Sequence, residues 1–430
     1  MESHKDKRFL IVGAGVFGLS TALELKSRGY QNVVVADRYP PPVKDGSSVD
    51  ISRIIRTEYA DELYHRMARE AYKLWREGEY REDFHETGFV MLAEGRGLSY
   101  LEKCLKISES VGVVLDDFSD ANDVRQLYPA VQARLDGLRA VHNPNGGWAD
   151  AEAAIRRLAG RCSDAGVSFV NGPRGTVVSL IYNSKECKQQ VVGVKVASGD
   201  DIIADQVILC TGAWTNRLLS LDHATSASGQ PLGFIDLTEE EAARLKGLPV
   251  MINYSTGIFC FPPSPGTNIL KVARHGYGWA TEVQTGDGRV VSSPKLDGCN
   301  TGSSYLPDDA DKALREGLQQ LLPEFANHPW SNRRMCWYSD TPDADFIIDH
   351  HPGIEGLFIA TGGSGHAFKF LPVLGGYVSD CFENKAPDDV RQKWRLRQRA
   401  KDDHTKLKVA DGSRGGPPLR KLAAEEQAKL

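Results

Sequence analysis

The stretch Leu10–Gly18, which reads L-I-V-G-A-G-V-F-G, leaves this chain few ways to begin a fold. An apolar run from Phe9 to Val12 passes straight into Gly13, Gly15 and Gly18, so a G-x-G-x-x-G pattern has a strand in front of it. Leu19, Leu23 and Leu25 follow on a helical period and end near Gly29. Val33–Ala36 makes a second buried strand, closed by Asp37, which stands 24 residues after Gly13. This is a βαβ unit with an acid where a ribose hydroxyl needs an acceptor. One glycine makes the tight turn, one lets backbone approach a pyrophosphate, and one lets helix pack on strand. Free N–H groups at the helix start serve the anion. Gly13, Gly15, Val16, Phe17 and Gly18 are therefore expected at the phosphate end of a dinucleotide, and Asp37 with Arg38 at its ribose.

At 430 residues the chain is too long for one ordinary core, and two domains are expected. A net charge of −5 gives no reason to expect nucleic acid. No apolar run reaches the ~18 residues of a membrane span. The polar start, Met1–Arg8, lacks an apolar signal segment. Eight cysteines (104, 162, 187, 210, 260, 299, 336, 381) are scattered with no C-x-x-C spacing. That argues against a zinc site or a disulfide framework and fits a reducing compartment. His350-His351 are adjacent, and neighbours on a strand face opposite ways, so no metal site is expected there. The final Ala428-Lys429-Leu430 is similar to the S-K-L peroxisomal address, which implies an import receptor as partner and the peroxisome as location.

Further along, Tyr64, Met67, Ala71, Leu74 and Trp75 share one face of a helix, Phe89–Leu92 reads as a strand, and Leu98–Ile107 as an amphipathic helix. Asp150 has the look of an N-cap. Ile202–Leu209 reads as a strand, and Val207–Leu209 leads into the Gly212 turn and returns to the first sheet. The middle, Gly229–Pro307, is rich in short strands and turns. Asp308 or Asp309 caps a helix carrying Leu314, Leu318, Leu321 and Leu322. Leu357–Thr361 enters Gly362-Gly363-Ser364-Gly365, a second phosphate-friendly loop. Ala410–Leu430, sparse in apolar residues, is expected to be mobile.

Several separated motifs form one ordered set: Ser47-Ser48 with Arg53-Ile54-Ile55-Arg56, Lys271 with His275, Cys336, and Ser364-Gly365-His366-Ala367-Phe368-Lys369. From Phe9 to about Glu383 the chain resembles the monomeric sarcosine oxidase family, which includes pipecolate, saccharopine and fructosyl amino acid oxidases. The resemblance implies FAD held covalently, by a thioether from Cys336 to the 8α-methyl of the flavin. It makes Lys271 the residue that promotes oxygen reduction, since a fixed cation stabilises superoxide in a dry site. It makes Arg53 and Lys369 the pair that grips the substrate carboxylate. Arg56 and His366 fall at the flavin edge, His275 and Tyr338 beside the substrate, and Ser47, Ser48, Gly363 and Gly365 around the cofactor.

Fructosyl amino acid oxidases of this family typically carry Lys where this chain has Arg53, and Glu where it has His275. Both positions here are of the sarcosine and pipecolate type. The implied enzyme is an FAD-dependent oxidase of N-substituted or cyclic secondary amino acids, giving an imine and H2O2 from O2. Fructosyl amino acids are the alternative substrate. A flavin monooxygenase using NAD(P)H, or a non-catalytic dinucleotide sensor, leaves Cys336 and Lys271 unexplained. A monomer is expected.

The expected fold is α/β, with a Rossmann-like FAD-binding domain and a sheet-rich mixed or antiparallel substrate domain covered by helices. The first would gather 7–85, 150–220 and 335–387, and the second 86–149 and 221–334. Residues 388–430 would form a polar, partly flexible tail.

Overall fold

The protein is described by a computed structural model over residues 4–185, 188–221, 224–296, 301–397 and 409–430. Cys187, Cys299 and part of the Gly278–Gly302 loop lie outside the described residues. Two sheets carry the architecture. The first has six strands, with β1 (Arg8–Val12) flanked by β2 (Asn32–Ala36) and by Gln206–Leu209. Phe9 pairs in parallel with Val33 on one side and Gln206 on the other. Leu357–Thr361 continues the sheet in parallel, and Ile347–His350 closes that edge antiparallel. Strands buried on both faces need apolar side chains at nearly every position, which β1 and β2 supply. Helix α1 (Val16–Ser27) covers this sheet. It lies against the helix Leu371–Phe382 so closely that a Cβ on Gly375 would sit 2.2 Å from the Ser20 carbonyl.

The second sheet has ten strands and is mixed. Most neighbours run antiparallel, whereas Val250–Asn253 and Phe89–Ala93 run parallel. One face is covered by the helix Asp308–Leu321, whose Leu314, Leu318 and Leu321 are fully buried. Strand side chains alternate between faces. Leu270 and Val272 therefore pack with this helix, and Lys271 between them points the other way. On the strand Asn332–Asp340, Met335 and Trp337 join the helix side, and Cys336 takes Lys271's side.

Several boundaries differ from expectation. Ile202–Leu209 is two strands: Ile202–Ile203 joins a hairpin sheet and Gln206–Leu209 the first sheet. Between them Asp205 accepts hydrogen bonds from the Arg8 backbone N–H and guanidinium. Asn332–Asp340 pairs with Ser226–Asp236 in the large sheet, so residues 335–340 do not belong to the first sheet's unit. Pro307, not an aspartate, stands at the N-cap of Asp308–Leu321. Leu74 faces solvent at 43% exposure.

The largest correction concerns the tail. Trp394 is buried and its indole N–H donates to Tyr64. Arg420–Lys421 adds a strand to the large sheet beside Trp279–Ala280. Leu422 and Leu430 are 1% and 5% exposed. A short polar segment is ordered here because an existing sheet edge satisfies its backbone and an existing core receives its two leucines. Leu422→Ala is expected to cost about 2–5 kcal/mol, as core leucine truncations do. A chemical-denaturation midpoint checks this, and an unchanged midpoint would mean that the tail adds nothing to the fold. Among the described residues no helix is long and apolar enough to cross a membrane, and no group of three or more His, Cys, Asp or Glu could hold a metal ion.

Candidate active site

The two sheets face one continuous cavity of about 400 Å³, within the ~300–1,000 Å³ range of ligand pockets, and its lining runs from the glycine turn at Gly13 to Lys369. Every residue expected at the site except Gly18 lines it: Gly13, Gly15, Val16, Phe17, Asp37, Arg38, Ser47, Ser48, Arg53, Arg56, Lys271, His275, Cys336, Tyr338, Gly363, Gly365, His366 and Lys369. Gly18 acts behind the wall. A Cβ there would lie 1.9 Å from the Gly13 carbonyl oxygen.

The nucleotide end follows from backbone geometry. Gly13 has φ +110°, and a Cβ on it would fall 2.4 Å from the Cys210 carbonyl oxygen. The Ala14 N–H donates to Asp37 Oδ2 at 2.7 Å, and the Arg38 N–H to Asp37 Oδ1 at 2.6 Å. The Val16 N–H donates to Ser48 Oγ, which fixes the second loop against the first. Ser47 Oγ donates to the Trp337 carbonyl, and so ties that loop to the strand bearing Cys336. Arg38 lies over the Trp214 ring at 4.4 Å and pairs with Asp45. A glycine turn opening onto a helix N-terminus, with the Ser48 hydroxyl beside it, fits a pyrophosphate.

Deeper in, one carboxylate gathers three cations. Asp50 Oδ2 lies 2.9 Å from Lys271 Nζ, 2.5 Å from Arg53 Nη1 and 3.4 Å from Arg334 Nη2. Lys271 Nζ also donates to the Ser52 carbonyl at 2.7 Å. Burial pushes the Lys271 ammonium down to about 7, against the pull of Asp50. Although buried, the Asp50 carboxyl is held well below its usual range by Lys271, then Arg53 and Arg334. Arg53 Nη2 stands 3.6 Å from the buried Cys336 Sγ, placing a positive charge beside the sulfur.

The far end carries a second group. Arg56 stacks on the Tyr59 ring at 4.5 Å and Lys369 Nζ lies 5.3 Å from the same ring. His366 Nε2 contacts the Ala344 carbonyl at 2.8 Å, so that nitrogen must donate. His366 Nδ1 then accepts from Tyr59 Oη at 3.2 Å, and Tyr59 Oη accepts from Lys369 Nζ at 2.9 Å. Burial, with Lys369 close by, keeps His366 far below the usual imidazole range, in line with this neutral ring. Burial and Arg56 likewise lower Lys369. Arg56 Nη1 and Tyr254 Oη are buried in the same wall without a hydrogen-bond partner among the described residues.

The structure thus divides the expected carboxylate grip. Arg53 belongs to the Asp50 group, and Arg56 joins Lys369 across Tyr59. Arg53 opens the strand Arg53–Ile55 and Arg56 follows its end, so the two belong to different stretches of backbone. His275 follows the strand Ile269–Arg274 and meets Ser413 Oγ at 3.1 Å and Tyr338 Oη at 3.4 Å. Burial, then Arg414, holds His275 far below its usual range, so it is uncharged near neutral pH. Gly365, at φ +72°, admits the Tyr338 ring, because a Cβ there would sit 2.3 Å from Tyr338 Cε2.

Arg414 was missed by sequence reasoning. It reaches in from the tail, pairs with Asp340 at 2.6 Å, donates to the Ser364 and Gly276 carbonyls, and lies over Tyr338 at 4.9 Å. The available signal was Gly415-Gly416 behind it: a Cβ on Gly415 would fall 2.0 Å from the Gly257 nitrogen. Asp50 and Tyr59 were missed as well. Neither carries a motif of its own.

The FAD dependent oxidoreductase family (DAO) matches residues 8–381. The L-saccharopine oxidase of Schizosaccharomyces pombe is 32% identical over 91% of this chain and 93% of its own length. A monomeric sarcosine oxidase of a Bacillus species is 27% identical over 87% of this chain and 92% of its own length. Among solved structures, the deglycating fructosamine oxidase Amadoriase II from Aspergillus fumigatus aligns over 98% of this chain and 96% of its own, with a TM-score of 0.88 and 29% identity. The glycine cradle and these likenesses agree: the chain belongs to the FAD dependent oxidoreductases, among the amine oxidases that act on CH–NH donors.

Proposed function

We propose that this enzyme oxidises the C–N bond of an N-substituted or cyclic secondary amino acid, of the saccharopine, pipecolate or sarcosine kind, to an imine. The observation that carries this is the Arg56–Lys369 group. It presents two buried cations on one aromatic ring, one with an orphaned N–H, on the wall shared with Cys336 and Lys271. A substrate carboxylate would fill that wall, taking two donors from the Arg fork and a point charge from Lys. It would thereby hold the carbon next to nitrogen at a fixed distance from the reacting ring. The chemistry FAD would supply there, when bound, is hydride acceptance from that carbon and a two-electron route to O2. Cys336 would hold it through a thioether at the 8α position, and Lys271 would stabilise the negative charge that oxygen acquires. Uncharged His275 and Tyr338 would border the amine, which reacts as the neutral base. The imine then hydrolyses unless it is a stable cyclic one.

Fructosyl amino acids are the second reading, favoured by the fructosamine oxidase likeness along nearly the whole chain. Against it stands His275, which offers no fixed negative charge to a sugar-bearing ammonium. Peroxide release without NADPH, measured over sarcosine, pipecolate, saccharopine and fructosyl-lysine, decides the matter. The reading expects the secondary amino acids to win. Preference for fructosyl-lysine would replace it, and NADPH consumption would favour a monooxygenase.

Covalent attachment has its own test. Acid-precipitated wild-type protein is expected to stay yellow and Cys336→Ala to turn colourless, whereas a colourless wild-type pellet would reject the thioether. Ala428-Lys429-Leu430 supports a peroxisomal location, where peroxide is destroyed. Leu430 is seated in the fold with its oxygen accepting from Lys295 Nζ at 2.6 Å, so an import receptor would have to lift it from that seat.

A further inference from the structure

We infer that Asp50 is a positioning residue for the oxygen reaction: its carboxylate, sunk behind the cavity wall, fixes the Lys271 ammonium and the Arg53 guanidinium in place. This rests on the reading of Lys271 as the residue that promotes oxygen reduction. In that reaction the two-electron-reduced flavin is oxidised and O2 is reduced, taking up two electrons and two protons to become H2O2. The first electron makes an anion, and the barrier depends on a positive charge already in position.

Lys271 cannot supply that charge unaided. It is fully buried, its only carboxylate neighbour is Asp50 among the described residues, and Arg53 and Arg334 stand around the same oxygen. The other groups facing it are the Ser52 carbonyl and the Phe261 ring, at 4.8 Å from Nζ. Arg53 in turn faces Cys336 and Tyr338. One buried anion thus offsets one of three buried cations, leaving a net excess of positive charge beside the cavity. Without it, three like charges would share a desolvated site, and the lysine is the one that can shed its proton. A neutral amine offers no comparable stabilisation. Asp50 is itself anchored, since the Ile51 N–H donates to its Oδ1 and the Glu152 N–H to its carbonyl. The carboxylate therefore sets where the ammonium sits as well as its charge.

Asp50→Asn keeps the shape and removes the charge. Rapid mixing of anaerobically reduced enzyme with oxygen is expected to show reoxidation about 10- to 100-fold slower at pH 8. Reduction by substrate should change several-fold less. The pH at which reoxidation falls off should move lower than in wild type, an effect that loss of structure alone would not produce. In a Lys271→Met background the second substitution should slow reoxidation no further. Asp50→Glu keeps the charge and moves it by one methylene, so it should slow reoxidation without moving the pH midpoint, and it carries the test if the asparagine variant does not fold. Unchanged reoxidation in these variants, equal slowing of both half-reactions, or full additivity with Lys271→Met would overturn the inference and leave Lys271's role standing. Unchanged reoxidation in Lys271→Met alone would instead remove the reading beneath it.

Discussion

Lys271→Met is expected to slow reoxidation by oxygen about 10²- to 10³-fold, the usual cost of removing one preorganised charge-stabilising group, and to leave reduction by substrate nearly unchanged. The asymmetry follows from position. Lys271 faces the cavity from the middle of a strand in the large sheet and pairs with Asp50, which also holds Arg53, whereas Arg56 and Lys369 meet over the Tyr59 ring. It can act on charge developing at oxygen without touching the substrate's carboxylate. A pH dependence accompanies it. Burial brings the lysine down to about 7, so the ammonium form dominates below that pH and is lost above it. Reoxidation should therefore fall as pH rises through this region, and Lys271→Met should flatten the profile. Stopped-flow traces of both half-reactions across pH check the claim. Equal slowing of the two halves would remove it.

Lys369→Met, like Arg56→Met, should lower kcat/KM by about 30- to 4,000-fold, equivalent to the ~2–5 kcal/mol lost when one partner of a buried charge pair is truncated. Most of the loss should appear in the reductive half-reaction, with KM raised more than kcat is lowered. Reoxidation should stay close to wild type. The physical cause is the orphaned Arg56 N–H: a buried donor without a partner is costly, and a carboxylate removes that cost on binding. Arg53→Met should behave differently, since Arg53 belongs with Asp50 and Cys336. It should impair flavin retention and reoxidation before it impairs carboxylate binding. A kcat/KM for Lys369→Met within threefold of wild type would place the carboxylate elsewhere.

The parts of the site readable in the sequence were those fixed by short stretches of backbone. Gly13, Gly15 and Gly18 announced the cradle, and at Gly13 and Gly18 a Cβ would run into a backbone carbonyl oxygen. Cys336, Lys271 and Lys369 were legible as members of an ordered family set, and alternation along their strands turned Cys336 and Lys271 inward together. What stayed hidden depends on distant segments. Asp50 reads as an ordinary loop acid until the strand bearing Lys271, 221 positions later, comes to rest against it. The motif pointed to Arg53 with Lys369 for the carboxylate and to Arg56 for the flavin edge. The structure sets Arg53 against Asp50 and Arg56 on the Tyr59 ring that Lys369 also meets, a choice no motif records. The tail looked too polar to order, since composition measures what a segment can bury in itself. It says nothing of the sheet edge and the half-built core waiting for Arg420–Lys421 and Leu422.

The most direct measurement is a diffraction structure of the purified holoenzyme with a small inert carboxylate bound. The account predicts electron density continuous from Cys336 Sγ into a tricyclic ring, with Lys271 Nζ against that ring and the ligand's carboxylate between Arg56 and Lys369. A ring remote from Cys336, or a carboxylate held by Arg53 at the Asp50 cluster, would contradict it.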